Sequence, residues 1–153
     1  MDNLNKPFIY FILSYRGQCG ITEIVKLCYL IDLLFKQETW KKLSTFEYIR
    51  YHYWPFTIQI DGCLNELLNE WLIKKELIPQ ASSDYFAKFS VLPNITFSGF
   101  LTEDQKSLCS QMLDDLTPYN ALQLTKIAYE TEPMKKLGAT LWGNEHLGES
   151  LGV

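Results

Sequence analysis

The residues of this 153-residue chain with the most reactive side chains are its four cysteines and two histidines. A cysteine–histidine pair could provide a nucleophilic thiolate, and His52 with Cys28 or Cys63 is the formal candidate. A reactive thiol needs exposure and a lowered pKa, but Cys28 lies in an apolar helical pattern and His52 in an extended aromatic segment. We therefore interpret these side chains as core or strand residues. The cysteines lack C-x-x-C spacing, so we expect reduced thiols and no zinc site.

Carboxylates provide equally little evidence of catalysis. Glu103 and Asp104 fall in the first turn of a predicted helix, where the helix dipole accounts for acidic residues, and Asp114-Asp115 is the other acidic pair. The sequence contains no P-loop, G-x-G-x-x-G, G-x-S-x-G or H-E-x-x-H motif. We expect a protein that is not an enzyme and that uses no cofactor or metal ion.

The charge balance argues against nucleic acid as a partner for the chain on its own. Eighteen acidic residues against fourteen basic ones give a net charge of −4, whereas nucleic-acid modules usually carry a basic stripe. The lysines form only short pairs, at 41–42, 74–75 and 135–136. No stretch reaches the ~18 apolar residues of a membrane span. We expect a cytoplasmic protein without a membrane partner.

Apolar periodicity predicts helices over most of the chain. The first covers about residues 5–15, and the second begins after Gly20. The third covers about 57–72, and Gly62 inside it costs ~1 kcal/mol relative to Ala, which suggests close packing there. Its predicted buried stripe consists of Ile60, Leu64, Leu67, Leu68 and Trp71. We expect the core junction of the second and third helices to contain Leu27, Ile31, Leu64 and Leu68.

The remaining segments predict a small sheet and further helices. Residues 46–53 are rich in strand formers, and residues 72–92 alternate as a β-hairpin does. Thr102 with Gln105 predicts a helix with a capping box. Thr117-Pro118 predicts the start of a last helix, which ends before Pro133.

Together these elements predict a mainly helical α+β domain of about five helices with a small hairpin or wing, in a winged-helix-like outline. We assign residues 1–137 to this single domain and residues 138–153 to a glycine-rich, partly ordered tail. In this outline the third helix would be the DNA-reading helix, yet its predicted exposed face contains three acidic residues and no arginine or lysine before Lys74. A winged-helix transcriptional regulator is therefore the alternative function.

The segment from Tyr48 to Phe56 is the most aromatic part of the chain. A strand with alternate residues buried explains part of this pattern. The other interpretation is an interaction surface, because Tyr, Trp and Arg are typical anchors of protein interfaces. The candidate partner-binding residues are Arg50, Tyr53, Trp54 and Phe56.

The order of these motifs resembles the Panacea antitoxin domain, a family also described as SocA-like or as phage-associated GepA-like proteins. The resemblance covers about residues 5–137 and is strongest over 21–73. The family has a K-L-x-Y-L-x-D helix, an extended aromatic segment ending in Gly-Pro, and a later L-x-x-x-x-H-x-x-x-P-W element. Here Trp54, Tyr129 and Met134 replace the family's Gly, His and Trp. The matching positions are Lys26, Leu27, Tyr29, Leu30, Asp32, Pro55 and Pro133.

The resemblance implies a non-enzymatic antitoxin of a two-gene toxin–antitoxin system, often carried on prophages. Such domains neutralise toxins of unrelated folds, usually by direct complex formation. One related type is thought to be a proteolytic adaptor that delivers its toxin to a protease. The partner implied is therefore a cognate toxin encoded nearby, with a protease as a further partner if the chain is an adaptor.

Overall fold

The computed structural model describes residues 3–50, 55–79, 85–93, 97, 100–137 and 148–153. It confirms a mainly helical α+β fold. In chain order the elements are α1 (Asn5–Arg16), β1 (Cys19–Gly20), α2 (Ile21–Thr39), β2 (Ile49–Arg50), β3 (Pro55–Phe56), α3 (Gln59–Asn69), β4 (Ile73–Pro79), β5 (Tyr85–Val91), α4 (Glu103–Leu116), α5 (Ala121–Tyr129) and α6 (Glu132–Leu137).

The larger sheet has three antiparallel strands in the order β1-β5-β4. β4 and β5 form the predicted hairpin, with Ile73 opposite Val91 at one end and Pro79 opposite Tyr85 at the other. β1 pairs Cys19 with Phe89 and closes the sheet next to α2. A helix, a short strand, two helices and a hairpin are the winged-helix order, and here β2 and β3 are inserted between the two helices. Because β1 has only two residues, it produces no alternation that sequence reading could detect.

Helix α2 lies at the centre of the molecule. Every side chain from Ile24 to Ile31 is buried, because α2 contacts α1, α4 and α5 on different sides. The sequence analysis predicted that α3 packs on α2. This prediction is wrong, because α3 packs mainly on α1 and β4. Leu27, Ile31 and Leu64 are nevertheless buried as expected, whereas Leu68 is only half-buried.

The C-terminal end of α3 differs from the predicted stripe. The helix ends at Asn69, and Trp71 adopts a left-handed conformation with φ 58°. Because its backbone no longer follows the helix, Trp71 leaves the buried face and is 77% exposed. The expected close packing at Gly62 is also wrong, because a Cβ placed there would meet nothing within 4 Å.

Helices α4 and α5, which follow the hairpin, begin at capping boxes. Thr102 and Gln105 form the predicted one. Thr117 is not an N-cap: its hydroxyl donates to the Leu113 carbonyl, and the residue caps the C-terminus of α4. The next box uses Asn120, so α5 starts later than predicted. Pro133 lies in the first turn of α6, where its missing N–H breaks no helical hydrogen bond.

The last residues of the chain do not form a loose tail. Residues 148–153 pack against the domain, and the Leu151 side chain is buried. Residues 138–147, the rest of the predicted tail, lie outside the described residues. None of the helices in the described part of the chain has the length and apolarity needed to span a membrane.

Candidate functional site

A buried polar cluster forms where α2 meets the loop that leads into β2. The Asp32 carboxylate accepts hydrogen bonds from the backbone N–H groups of Leu43 and Ser44, both at 3.0 Å. It also accepts from the Tyr48 hydroxyl at 2.7 Å and from the Ser44 hydroxyl. Four donors thus converge on one carboxylate, which fixes the course of the chain over residues 43–48 against α2.

Tyr29 extends this cluster from α2 towards the C-terminal helices. It lies one turn before Asp32 and therefore shares a helix face with it. Its ring meets the Tyr48 ring edge-on, with 5.3 Å between centroids. Its hydroxyl lies 2.7 Å from the Thr131 hydroxyl, just before α6. The cluster therefore connects α2, the loop and the α5–α6 junction.

The electrostatics of the cluster suit a structural role. Burial raises the pKa of Asp32, while the hydrogen bonds from Ser44 and Tyr48 oppose that rise. Burial, followed by the nearby Asp32 charge, holds the pKa of Tyr48 well above its usual value. Asp32 and Tyr48 have almost no accessible surface, so a substrate cannot reach either group.

The cysteines are equally unsuited to chemistry. All four are free and buried. Burial raises the pKa of Cys19, Cys63 and Cys109 to about 12, and that of Cys28 well above its usual value. A thiol with such a pKa is protonated and unreactive at neutral pH. His52, the formal partner of Cys28 or Cys63, lies outside the described residues.

The structure describes the four predicted partner-binding residues to different extents. Arg50 is fully buried, and its guanidinium lies 5.0 Å from the centroid of the Tyr129 ring. A side chain without accessible surface cannot contact a partner, so the structure corrects the prediction at Arg50. Tyr53 and Trp54 lie outside the described residues, and for Phe56 only the backbone in β3 is described. For these three residues the partner contact stays a prediction.

The positions that match the family motifs belong to the interior. Arg50 on β2 and Tyr129 at the end of α5 connect the extended segment with the later motif element through a cation–π contact. Of the seven positions, Pro133 is half-buried, and the buried ones are Lys26, Leu27, Tyr29, Leu30, Asp32 and Pro55.

An exposed tryptophan that the sequence analysis did not single out lies at the end of α2. Trp40 is 89% exposed, and its backbone has φ 64° in the left-handed region that favours glycine. It borders a groove of about 500 Å³ between α2, α6 and the last residues of the chain. Leu33, Pro133 and Leu151 also line this groove, with Lys36 and Lys136 among its polar lining residues. A signal was available, because Trp40 stands between polar residues where the apolar period of α2 ends.

The chain end forms the wall of this groove by pairing with β2. Ser150 lies opposite Ile49 in an antiparallel bridge. Leu151 N donates to Tyr48 O at 3.0 Å, and Arg50 N donates to Glu149 O at 2.9 Å. β2 therefore has β3 on one edge and the chain end on the other. This pairing places the groove beside the extended segment in which partner-binding residues were predicted.

Among the described residues, no group of three His, Cys, Asp or Glu side chains could hold a metal ion. Comparison with protein-family models, curated proteins and solved structures gives no match. The resemblance to the Panacea antitoxin domain therefore stays a prediction.

Proposed function

We propose that this chain is an antitoxin-like interaction protein that neutralises a cognate toxin by direct binding. The resemblance of α2 and the extended segment to the Panacea domain supports the class of function. Trp40 and its groove support contact with another protein. The groove borders α2, which belongs to the segment, residues 21–73, that resembles the family most closely.

The observation that carries the proposal is that Trp40, exposed and in a left-handed backbone conformation, borders the groove. A non-glycine residue costs roughly 1–2 kcal/mol there. An indole that is 89% exposed gains little from burial within the chain in return. The fold alone would thus favour glycine at this position. Tryptophan is among the residues most enriched at the energetic centres of protein interfaces, and a partner that buries Trp40 accounts for it.

Co-expression with the protein encoded by the neighbouring gene tests the proposal. We expect the native chain to rescue growth of cells that produce this protein. Trp40→Gly should weaken rescue without lowering the thermal midpoint, because glycine relieves the backbone cost while the contact is lost. Trp54→Ala should also weaken rescue, since Trp54 is the predicted anchor in the neighbouring segment. The proposal is wrong if the native chain rescues growth from none of the neighbouring genes' products.

Trp71→Gly is the matched control for Trp40→Gly. Trp71 is also exposed and left-handed, but it follows α3 and does not line the groove. Equal loss of rescue in the two variants would show that the groove has no special part in binding.

A proteolytic adaptor would use the same contact surface but would lower the amount of toxin. In cells with the native chain, direct neutralisation leaves the toxin level unchanged, whereas delivery to a protease reduces it. Quantifying the toxin in rescued cells therefore separates these two forms of the proposal.

The winged-helix order of elements favours a transcriptional regulator as the second candidate. Asp61 and Glu66 are exposed on α3, the helix that would face the groove of DNA, and Glu70 is exposed just after it. Acidic side chains are repelled by phosphates. We expect duplex DNA to bind no more tightly than about 10⁻⁵ M at physiological salt. A gel-shift assay with the chain's own promoter region measures this. A sequence-specific shift at nanomolar protein would make the regulator the better proposal.

A further inference from the structure

The outer edge of β2 is occupied by the chain's own last residues in the manner of an added strand. Three backbone hydrogen bonds connect the two segments. Two of them flank the Ile49–Ser150 bridge, and in the third Gly148 N donates to Arg50 O at 2.6 Å. Removing the segment would leave Tyr48 O, Arg50 N and Arg50 O without these bonds. The edge therefore needs an extended segment, and an extended segment of another chain makes the same bonds.

The bound segment also shows which side chains this edge accepts. Leu151 is buried and lines the groove beside Trp40 and Leu33. Beyond it, Lys36 Nζ donates to Gly152 O at 2.7 Å, and Lys42 Nζ donates to Val153 O at 3.0 Å. The site thus accepts a large aliphatic side chain, and the two lysines beyond it meet backbone oxygens of the segment. The ammonium groups of Lys36 and Lys42 favour an acidic group in a partner segment, one or two residues after the aliphatic side chain.

Backbone hydrogen bonds, the two lysine contacts, the buried Leu151 and the half-buried Val153 hold this segment in place. Leu151 is its only buried side chain, and Gly148, Glu149, Ser150 and Gly152 are exposed. The segment is short, so an outside strand that matches the same bonds and adds contacts with Trp40 would compete with it.

We propose that the outer edge of β2 is a strand-addition site for a partner protein, and that residues 148–153 occupy it as an internal competitor. The partner segment is extended, carries leucine or a similar aliphatic residue, and has an acidic group one or two residues later. The identity of this partner as the toxin rests on the function proposed above. The existence of the site does not.

A peptide-binding experiment tests the site without the toxin. The probe is a labelled synthetic peptide of residues 148–153, Gly-Glu-Ser-Leu-Gly-Val, added to a chain that ends at residue 147. We expect it to bind the shortened chain at least tenfold more tightly than the intact chain, in which the edge is occupied. A peptide with alanine in place of its leucine should bind at least tenfold more weakly. Equal binding to both chains, or no preference for leucine, would overturn the proposal.

A second variant keeps the test valid if the shortened chain fails to fold. Leu151→Ala in the intact chain removes the buried side chain and leaves the backbone in place. We expect this variant to bind the native peptide several-fold more tightly than the unaltered chain. Unchanged binding by a folded Leu151→Ala chain would count against the site.

Two lysine variants test the recognition of oxygen acceptors. We expect Lys36→Ala in the shortened chain to weaken peptide binding several-fold. Lys75→Ala is the matched control, because Lys75 is exposed on β4 and should leave binding unchanged. Equal effects of the two substitutions would contradict specific recognition by Lys36.

Toxin binding then identifies the partner. We expect the toxin to bind the shortened chain, or the Leu151→Ala chain, at least tenfold more tightly than the intact chain, and the free peptide to compete with it. Peptide binding without any effect on toxin affinity would keep the site and reject the toxin as its partner. Failure of rescue by the intact chain would reject the proposed function and leave the peptide result standing.

Discussion

Helix α2 carries two regions of opposite character. At Asp32 its side chains turn inward, where four hydrogen-bond donors surround a buried carboxylate. At its end Trp40 points outward, with a backbone conformation that suits glycine better. The first region uses residues that match the family motif and serves the fold. The second uses a residue outside that motif, and burial on a partner would account for it.

The comparison separates the residues that resemble a family from the residue that we propose to contact a partner. The motif positions on α2 and in the extended segment are buried, so a resemblance at these positions predicts a shared core. Contact residues should therefore be sought among exposed side chains such as Trp40, and not among the matching positions.

The largest effect is expected from removing the carboxylate of the buried region. Asp32→Ala leaves the N–H groups of Leu43 and Ser44 buried without an acceptor. We expect a loss of about 3–5 kcal/mol in the free energy of unfolding. Asp32→Asn should lose no more than about 1.5 kcal/mol, because its carbonyl accepts both bonds and its amide can donate to the two hydroxyls. Chemical denaturation measures both. Equal losses would show that the hydrogen bonds do not hold the loop.

The apolar core gives the next effect. Leu64 on α3 is buried, and Leu68, one turn later, is only half-buried. We expect Leu64→Ala to lower the free energy of unfolding by about 2–5 kcal/mol. Leu68→Ala, the matched control, should lower it by less than about 1.5 kcal/mol. A loss below about 0.5 kcal/mol for Leu64→Ala would place this side chain outside the core.

Elements whose signals come from neighbouring residues could be predicted from the sequence. The period of α1 and α2, the alternation of the hairpin and the capping box at Thr102 are all carried by neighbouring residues. The predicted start at Thr117 was wrong because Thr and Asn are both good N-caps, and only the path of the chain selects Asn120. The sequence analysis placed Trp71 in the buried stripe of α3 because apolar periodicity does not show where the helix ends.

The candidate site was less predictable because its contacts join distant parts of the chain. Asp32 was noted as a motif position, but its partners depend on how the loop at 43–48 folds back on α2. The pairing of β2 with residues 148–151 joins segments about a hundred residues apart. A bridge that short produces no sequence pattern, and glycines in the final residues suggested a loose tail instead.

A smaller effect of opposite sign is expected at Gly62. This glycine lies inside α3, is exposed, and has open space where a Cβ would be. Gly62→Ala should therefore raise the free energy of unfolding by about 0.5–1 kcal/mol, because alanine loses less backbone freedom on folding. A thermal or chemical unfolding curve measures the gain. A loss of stability would mean that α3 is packed more closely at this point than the structure shows.

The smallest effect is the pH dependence that Asp32 confers. Burial raises its pKa above 3.8, and the hydrogen bonds from Ser44 and Tyr48 cancel part of that rise. A carboxyl with a raised pKa in the folded state binds its proton more tightly there than in the unfolded chain. Its stabilising contribution is therefore complete below pH 3.8 and is lost as the pH rises through the folded-state value.

Asp32→Asn is the control that isolates this contribution, because asparagine does not titrate. We expect the free energy of unfolding of the native chain, minus that of Asp32→Asn, to fall as the pH rises from below 4 towards neutrality. Chemical denaturation of both chains across this range measures the difference. A difference that grows with pH would show that the donors around Asp32 outweigh its burial. The carboxylate would then stabilise the loop as an anion.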